Sequence, residues 1–419
     1  MQRLRTSQIF VPGGMPVYTY VPRNSRKLEA RLSEVRDSLF KLVTVTGATK
    51  SGKTVLTSKV FPRAEAIWID GGTIQKEDDL WSTVLEQLDA FTGTERQSGT
   101  SVTSGLGAGV SAGFGIPGVA HVEGSTQGQE EHTASGVTIR SRQVAPRTAA
   151  TAALRAQPTP VVIDDFHYLS RTIQGDVIRA LKPLVAEGLP FVLIAIPHRR
   201  FDAVRVEREM TGRLDSIDIP MWDRDELELI ARGGFPLLNV SVSDELCSRL
   251  TDEAQGSPHL MQEFCRGLMK AHGVEATLDS PLVIGAMDDD LFRSVAAGTG
   301  KVVFDKLSRG PRQRSDRLQR ALKGGGTADI YQVVLMALTR MAPGMATVEY
   351  EQLRAAIRDV LASDIPQMHE VTRVLEKMAE IAADDEASTP VIDWERDEQL
   401  LHITDPFFAF YLKWGATYT

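Results

Sequence analysis

Residues 42–60 read LVTVTGATKSGKTVLTSKV: a β-branched apolar run, then Gly47, four residues, Gly52, Lys53 and Thr54, then an apolar-periodic stretch. That is the strand, loop and helix order a phosphate cradle requires. The glycines let the backbone fold tightly, so that amide N–H groups from Gly47, Ala48, Thr49, Lys50, Ser51, Gly52, Lys53, Thr54 and Val55 can turn onto phosphate oxygens, while the helix adds its positive end. Lys53 can reach the β and γ phosphates, and the Thr54 hydroxyl can ligate Mg²⁺. The expected ligands are ATP and Mg²⁺.

A magnesium ion on a hydroxyl needs an acidic partner, and TPVVIDDFHYLS at 159–170 supplies one. A buried-type strand over 161–163 delivers Asp164 and Asp165 to its carboxyl end, where ligands bind in open α/β sheets. Asp164 is expected to organise the magnesium and Asp165 to orient the attacking water.

These groups need a sheet to hold them. Strands are expected at 64–72, 161–164, 190–198 and 216–222, and helices at 78–91, 145–157, 172–188 and 200–214. The alternation predicts an α/β fold of the P-loop NTPase kind, a mostly parallel sheet covered on both faces. With 419 residues, two or three domains are expected. The 42% apolar and 24% charged residues exclude disordered and fibrous classes, and a net charge of −8 argues against a generally basic nucleic-acid binder. The two cysteines, Cys247 and Cys265, are too few for a disulfide framework or zinc ribbon. The first residues lack the apolar run of a secretory signal and no stretch spans a membrane, so a cytoplasmic address without membrane contact is expected.

The chain from about residue 10 resembles the AAA+/STAND branch of P-loop ATPases, a group with features of archaeal replication initiators, transposition ATPases and bacterial defence ATPases. TYVPRNSRKLEARL at 19–32 resembles the box and helix that open such modules. The resemblance implies adenine-side contacts from Tyr20, Val21 and Arg23. It places His198 in the sensor-one region, as a γ-phosphate or water contact or as an exposed loop histidine. Arg213 falls where relatives carry an arginine finger for a neighbouring subunit, although it can equally belong to a solvated helix face with Arg205 and Arg208. Residues 223–235 and 243–273 resemble the lid over the nucleotide. His259 follows the Gly256, Ser257, Pro258 turn in place of the common arginine, either monitoring nucleotide charge or capping its helix. That histidine and the Asp–Asp pair imply slow, switch-like hydrolysis.

Ten of the 34 glycines lie between Gly99 and Gly136, inside an insertion at 94–144. It is read as a flexible loop, an assembly hairpin or a membrane contact. Residues 301–323 carry eight basic and two acidic side chains, either a phosphate grip or the polar face of a linker helix. Three helices (328–341, 347–362, 367–383) and two strands (390–395, 400–404) then follow in winged-helix order, and a final apolar helix at 405–414 is expected to dock as core. Residues 328–419 hold seven basic against sixteen acidic side chains, so this module favours protein over DNA.

The expected organisation is an N-terminal strap (1–40), ATPase core (41–222), helical lid (223–300), basic linker (301–327) and winged-helix module (328–419). The expected function is an ATP-hydrolysing switch that homo-oligomerises or controls a protein partner or effector, in antiviral defence or signalling. A DNA-engaged loader and a nucleotide-stabilised scaffold are the alternatives.

Overall fold

The computed structural model describes residues 3–37, 40–90, 93–98, 136–141, 144–195, 212–311, 318–362, 365–383 and 390–416. At its centre lie five strands: β1 (Leu42–Gly47), β2 (Ile67–Asp70), β3 (Val161–Asp164), β4 (Phe191–Ile194) and β5 (Leu214–Ile219). They pair in the order β2-β3-β4-β1-β5, every pair parallel. β1 and β4 are buried at every residue, as expected where both faces of a parallel strand are covered. Val43, Val45, Trp68, Val162, Val192, Ile194, Ile217 and Ile219 form a core with Leu28, Leu32 and Phe61. This is the predicted α/β sheet of the P-loop NTPase kind.

The registers align the chemistry. Asp70 pairs with Asp164 at the carboxyl ends of β2 and β3, and Gly47 pairs with Ile219 at the ends of β1 and β5. Because β1 lies between β4 and β5, chain crossovers run in opposite directions from it, and a crevice opens at the carboxyl edge there.

After β5 the chain becomes helical: α1 (Lys53–Val60) belongs to the sheet region, whereas α2 (Arg224–Gly234), α3 (Asp244–Glu253), α4 (Pro258–Ala271), α5 (Asp290–Thr299) and α6 (Lys301–Arg309) follow it. Side chains cap the first three of these later helices: Asp223 in a capping box with Glu226, then Ser243 and Ser257. Next come α7 (Ile330–Met341), β6 (Thr347–Glu349), α8 (Tyr350–Val360), α9 (Met368–Ala383), β7 (Ile392–Glu395) and β8 (Leu400–Ile403), ending in α10 (Pro406–Trp414). The three short strands pair antiparallel in the order β6-β8-β7, a winged-helix arrangement. β6 corrects the expected helix over 347–362, whose first three residues instead pair with Leu400, Leu401 and His402.

The helical region and the winged helix share one core. α10 carries Phe410 to within 5.0 Å of Phe264 and 6.0 Å of Phe292, and Trp414 to within 5.0 Å of Phe292, ring centre to ring centre. The chain's first residues join this core too: Leu4, Ile9 and Phe10 are buried in it. The Thr6 hydroxyl donates to Val274 O at 2.7 Å across 268 residues of sequence, and the Thr6 amide donates to Glu275 O at 2.8 Å. Gly234 is required there, because a Cβ would sit 2.3 Å from Phe10.

The chain divides into two units, Met1–Leu80 with Gln157–Thr419, and Trp81–Ala156. The second contains an antiparallel ribbon pairing Gly93–Ser98 with Gly136–Ser141, at the two ends of the expected insertion. The intervening glycine-rich residues, and the expected helix at 200–214, lie outside the described residues except for 212–214. Among the described residues no helix is long and apolar enough to cross a membrane.

Candidate functional site

The loop between β1 and α1 owes its shape to the two predicted glycines. A Cβ on Gly47 would meet Ile219 O at 2.6 Å and the Ser51 hydroxyl at 3.0 Å, so only glycine lets β1 end against β5. Gly52 has φ +93°, the left-handed region, where it caps α1. Lys50 also has φ +60°, a conformation that costs a non-glycine residue about 1 kcal/mol and has to be held by its contacts.

Lys53 is 9% exposed, and its ammonium donates to Gly47 O and Ala48 O, both at 2.9 Å. Burial brings it down to about 8, against the pull of Asp165, Asp164 and Asp218. The Thr54 hydroxyl lies 3.3 Å from Asp164 Oδ1, so the two expected magnesium ligands face each other. Asp164 Oδ1 also accepts the Asp165 amide at 2.9 Å. Burial raises the Asp164 carboxyl. Asp165, with φ +49°, is pushed up to about 6 by burial and then by the neighbouring Asp164 and Asp70 charges, with Lys53 opposing. A carboxyl poised there can accept a proton near neutral pH.

Three residues that the linear motifs do not reveal complete this corner. Asp70 closes β2 beside Asp164. Gly71 backs onto the backbone of Asp164 and Asp165, for a Cβ there would fall 2.4 Å from the Asp165 carbonyl oxygen. Asp218, from β5, accepts the Thr46 hydroxyl at 3.1 Å. The strand-terminal WIDGG at 68–72 carries the only sequence signal for the first two, a paired glycine after a strand-ending aspartate.

A cavity of about 310 Å³ runs from this loop to the N-terminal segment, lined by Lys50–Leu56 and Asp165 on one side and by Gly13, Tyr20, Val21, Arg23, Trp222 and His259 on others. The structure thus brings together the predicted loop, the Asp–Asp pair, the N-terminal box and His259. Arg23 is nonetheless occupied: its guanidinium pairs with Glu226 at 2.8 Å, donates to Pro220 O and Met221 O, and lies 5.0 Å over the Trp222 ring. The Tyr20 hydroxyl donates to Glu29 at 2.5 Å. Trp222, unforeseen as a site residue, donates its indole N–H to Ser51 O at 2.8 Å and so ties the phosphate loop to the start of α2. Gln262 fastens the N-terminal segment to α4 by accepting from Val11 N and donating to the Thr19 hydroxyl.

His259 packs edge-on against Phe407 at 4.8 Å and is held down to about 4 by burial and then by Lys50, with Asp405 opposing, so it is neutral at physiological pH. Its helix is capped by Ser257 rather than by the histidine. Arg213 sits just before β5, whose amino end pairs with Leu42, at the opposite edge of the sheet from the loop after Gly47. Six residues of strand, about 20 Å, separate it from that loop within one chain. His198 lies outside the described residues.

No protein-family model and no curated protein matches the sequence. Among solved structures, the Aeropyrum pernix ORC2 protein in ADPNP–ADP complexes is similar over 97% of this chain and 95% of its own, at 14% identity and a TM-score of 0.51. A Walker-type ATPase of Pyrococcus abyssi is similar over 92% of this chain and 94% of its own, at 13% identity and a TM-score of 0.50. The Cdc6p of Pyrobaculum aerophilum spans 97% of this chain and 96% of its own at 12% identity and a TM-score of 0.43. Sheet order, the loop after β1 and the likeness to the first two of these structures agree that the chain has a P-loop ATPase fold, extended by a C-terminal helical and small-sheet region.

Proposed function

We propose that the chain is an ATP-hydrolysing molecular switch. The observation that carries this reading is the buried Lys53 ammonium, held by two carbonyls of its own glycine-shaped loop and faced by Asp164 and Asp165. The side chains suit a magnesium–nucleotide: the space at Gly47 excludes a Cβ, the Ser51 hydroxyl is buried with no hydrogen-bond partner, and a hydroxyl and a carboxylate converge at Thr54 and Asp164. Thr54 and Asp164 would hold the ion, which supplies positive charge to the phosphates and their developing negative charge. Lys53 neutralises the phosphate chain, and the loop amides orient it. Asp165 positions the attacking water and takes up its proton. Tyr20, Val21 and Trp222 wall the base-side cavity, with Arg23 and Gln262 keeping that wall in shape.

Arg213, remote from the loop within its own chain, acts on a neighbouring subunit, and His198 serves as the sensor-one contact. The domain division is the strap, core, lid, linker and winged-helix series read from the sequence. Protein control is favoured over DNA because the 328–419 module is acidic and Arg320 of the basic run is engaged by Glu370 at 3.0 Å. The reading assigns the switch to a bacterial defence or signalling system, with turnover slow. It is tested by calorimetry and single-turnover hydrolysis of Mg-ATP. Lys53→Ala should lose binding at least tenfold, and Asp165→Asn should retain binding while losing roughly 10²-fold or more in rate. Wild-type binding that is unchanged by Lys53→Ala defeats the proposal.

A further inference from the structure

The phosphate loop contains a second lysine, and it points away from the catalytic aspartates. Lys50, at the left-handed crest of the loop, places its ammonium 3.3 Å from Asp405 Oδ2 and 3.4 Å from the centre of the Phe407 ring. Both partners belong to the start of α10, with Asp405, its N-cap, 355 residues further on. Asp405 is 7% exposed and Phe407 8%. The other Asp405 oxygen accepts the Phe408 amide at 2.9 Å and so caps α10. His259 braces the far edge of Phe407, and Gly13 packs on His259, where a Cβ would stand 3.1 Å from the ring. α10 itself is cemented among Phe264 and Phe292 and cannot leave that core alone.

We infer that Lys50 and Asp405 form a latch in which the terminal helix and the bound phosphates compete for one ammonium, so that filling the loop loosens the joined lid and winged-helix body from the sheet. This deepens the ATP-switch reading and rests on it. A flexible side chain cannot hold Asp405 Oδ2 at hydrogen-bond range and also turn onto a ligand in the cavity it lines. Whatever draws the ammonium into the cavity leaves a nearly buried carboxylate facing the loop without its cation, which favours separation. Conversely, the latch lowers phosphate affinity by as much as it must be broken to bind, because coupling between two ligands of one group is reciprocal.

Asp405→Asn is the informative variant, since asparagine caps a helix as well as aspartate but carries no charge. Binding of Mg-bound adenosine 5′-(β,γ-imido)triphosphate to the full chain is measured by calorimetry in wild type, Asp405→Asn, Lys50→Met and the double variant. The latch requires Asp405→Asn to bind about five- to tenfold more tightly than wild type, and this gain to vanish in the Lys50→Met background. A purely structural Asp405 would give weaker or unchanged binding, and a gain that persists without Lys50 would arise elsewhere; either result overturns the latch. Amide exchange without nucleotide separates the two readings. Asp405→Asn should raise exchange in residues 407–410 about tenfold, and unchanged exchange there overturns the latch whatever the nucleotide does. If neither wild type nor Asp405→Asn binds nucleotide, the ATP-switch reading fails and the latch, as a competition with phosphates, fails with it.

Discussion

Gly71→Ala should separate hydrolysis from nucleotide binding. Gly71 is buried, and its φ lies outside the left-handed region, so alanine meets no backbone objection there. The obstacle is steric: the new methyl would lie 2.4 Å from Asp165 O, 2.9 Å from the Asp165 carbonyl carbon and 3.0 Å from Asp164 O. Reaching ordinary van der Waals separation needs a shift of roughly 1 Å in that peptide, and a misplacement of this size costs a catalytic step about 10²-fold. The same crowding should destabilise the fold by about 1–3 kcal/mol, which a protein of this size survives. Lys53 and the loop over 47–52 are anchored on β1 and β5, away from the contact, so nucleotide affinity should change less than threefold. Single-turnover hydrolysis, calorimetric binding and a melting curve on the same preparation give the three numbers. A rate within threefold of wild type, or a loss of affinity equal to the loss of rate, would refute the assignment of Asp165 to the water rather than to the nucleotide.

Asp165→Asn should raise stability while slowing hydrolysis by roughly 10²-fold or more. The folded carboxyl titrates near 6 against an ordinary 3.8, so the folded state holds its proton more tightly than the unfolded chain and loses stability as pH rises through that range. The variant should therefore melt higher than wild type at pH 7.5 without magnesium, with the difference gone by pH 4; a lower melting point at pH 7.5 contradicts the burial argument. The single-turnover rate of wild type should fall as pH drops below about 6, where the base becomes protonated. Arg23→Met should cost about 3 kcal/mol in denaturant unfolding, at the low end for one partner of a buried pair, because Arg26 and the Asp223 amide still contact Glu226. Arg23→Met with Glu226→Leu should recover part of it, and a single-variant loss below about 1 kcal/mol would mean the pair is not desolvated.

The parts of the site legible in the sequence are those whose groups are covalent neighbours. Gly47 to Thr54 follow one another, and the strand that buries Val161, Val162 and Ile163 carries Asp164 and Asp165 directly out of its end. Asp70, Gly71 and Asp218 come from other parts of the sheet, and only the β2-β3-β4-β1-β5 order brings the first two beside Asp164 and Asp165 and the third near Lys53. Asp405 shows how far this goes: Asp-Pro before an apolar run marks a helix start, but nothing local can say that the cap also grips a lysine of the phosphate loop. β6 was hidden for a different reason. Three residues are too few to display alternation, and their pairing with β8 outweighs a local pattern that continues smoothly into α8.

The fastening of Thr6 to Val274 has a consequence during synthesis. The carbonyl that receives the Thr6 hydroxyl is made 268 residues after it. At ribosomal speeds of about 5–20 residues per second, Leu4, Ile9 and Phe10 wait roughly 13–54 s, apolar and unburied, before their seat exists. One wall of the cavity beside the glycine-shaped loop is therefore assembled late, from the two most distantly timed parts of that wall, and a nascent chain holds a nearly complete loop well before that cavity can close.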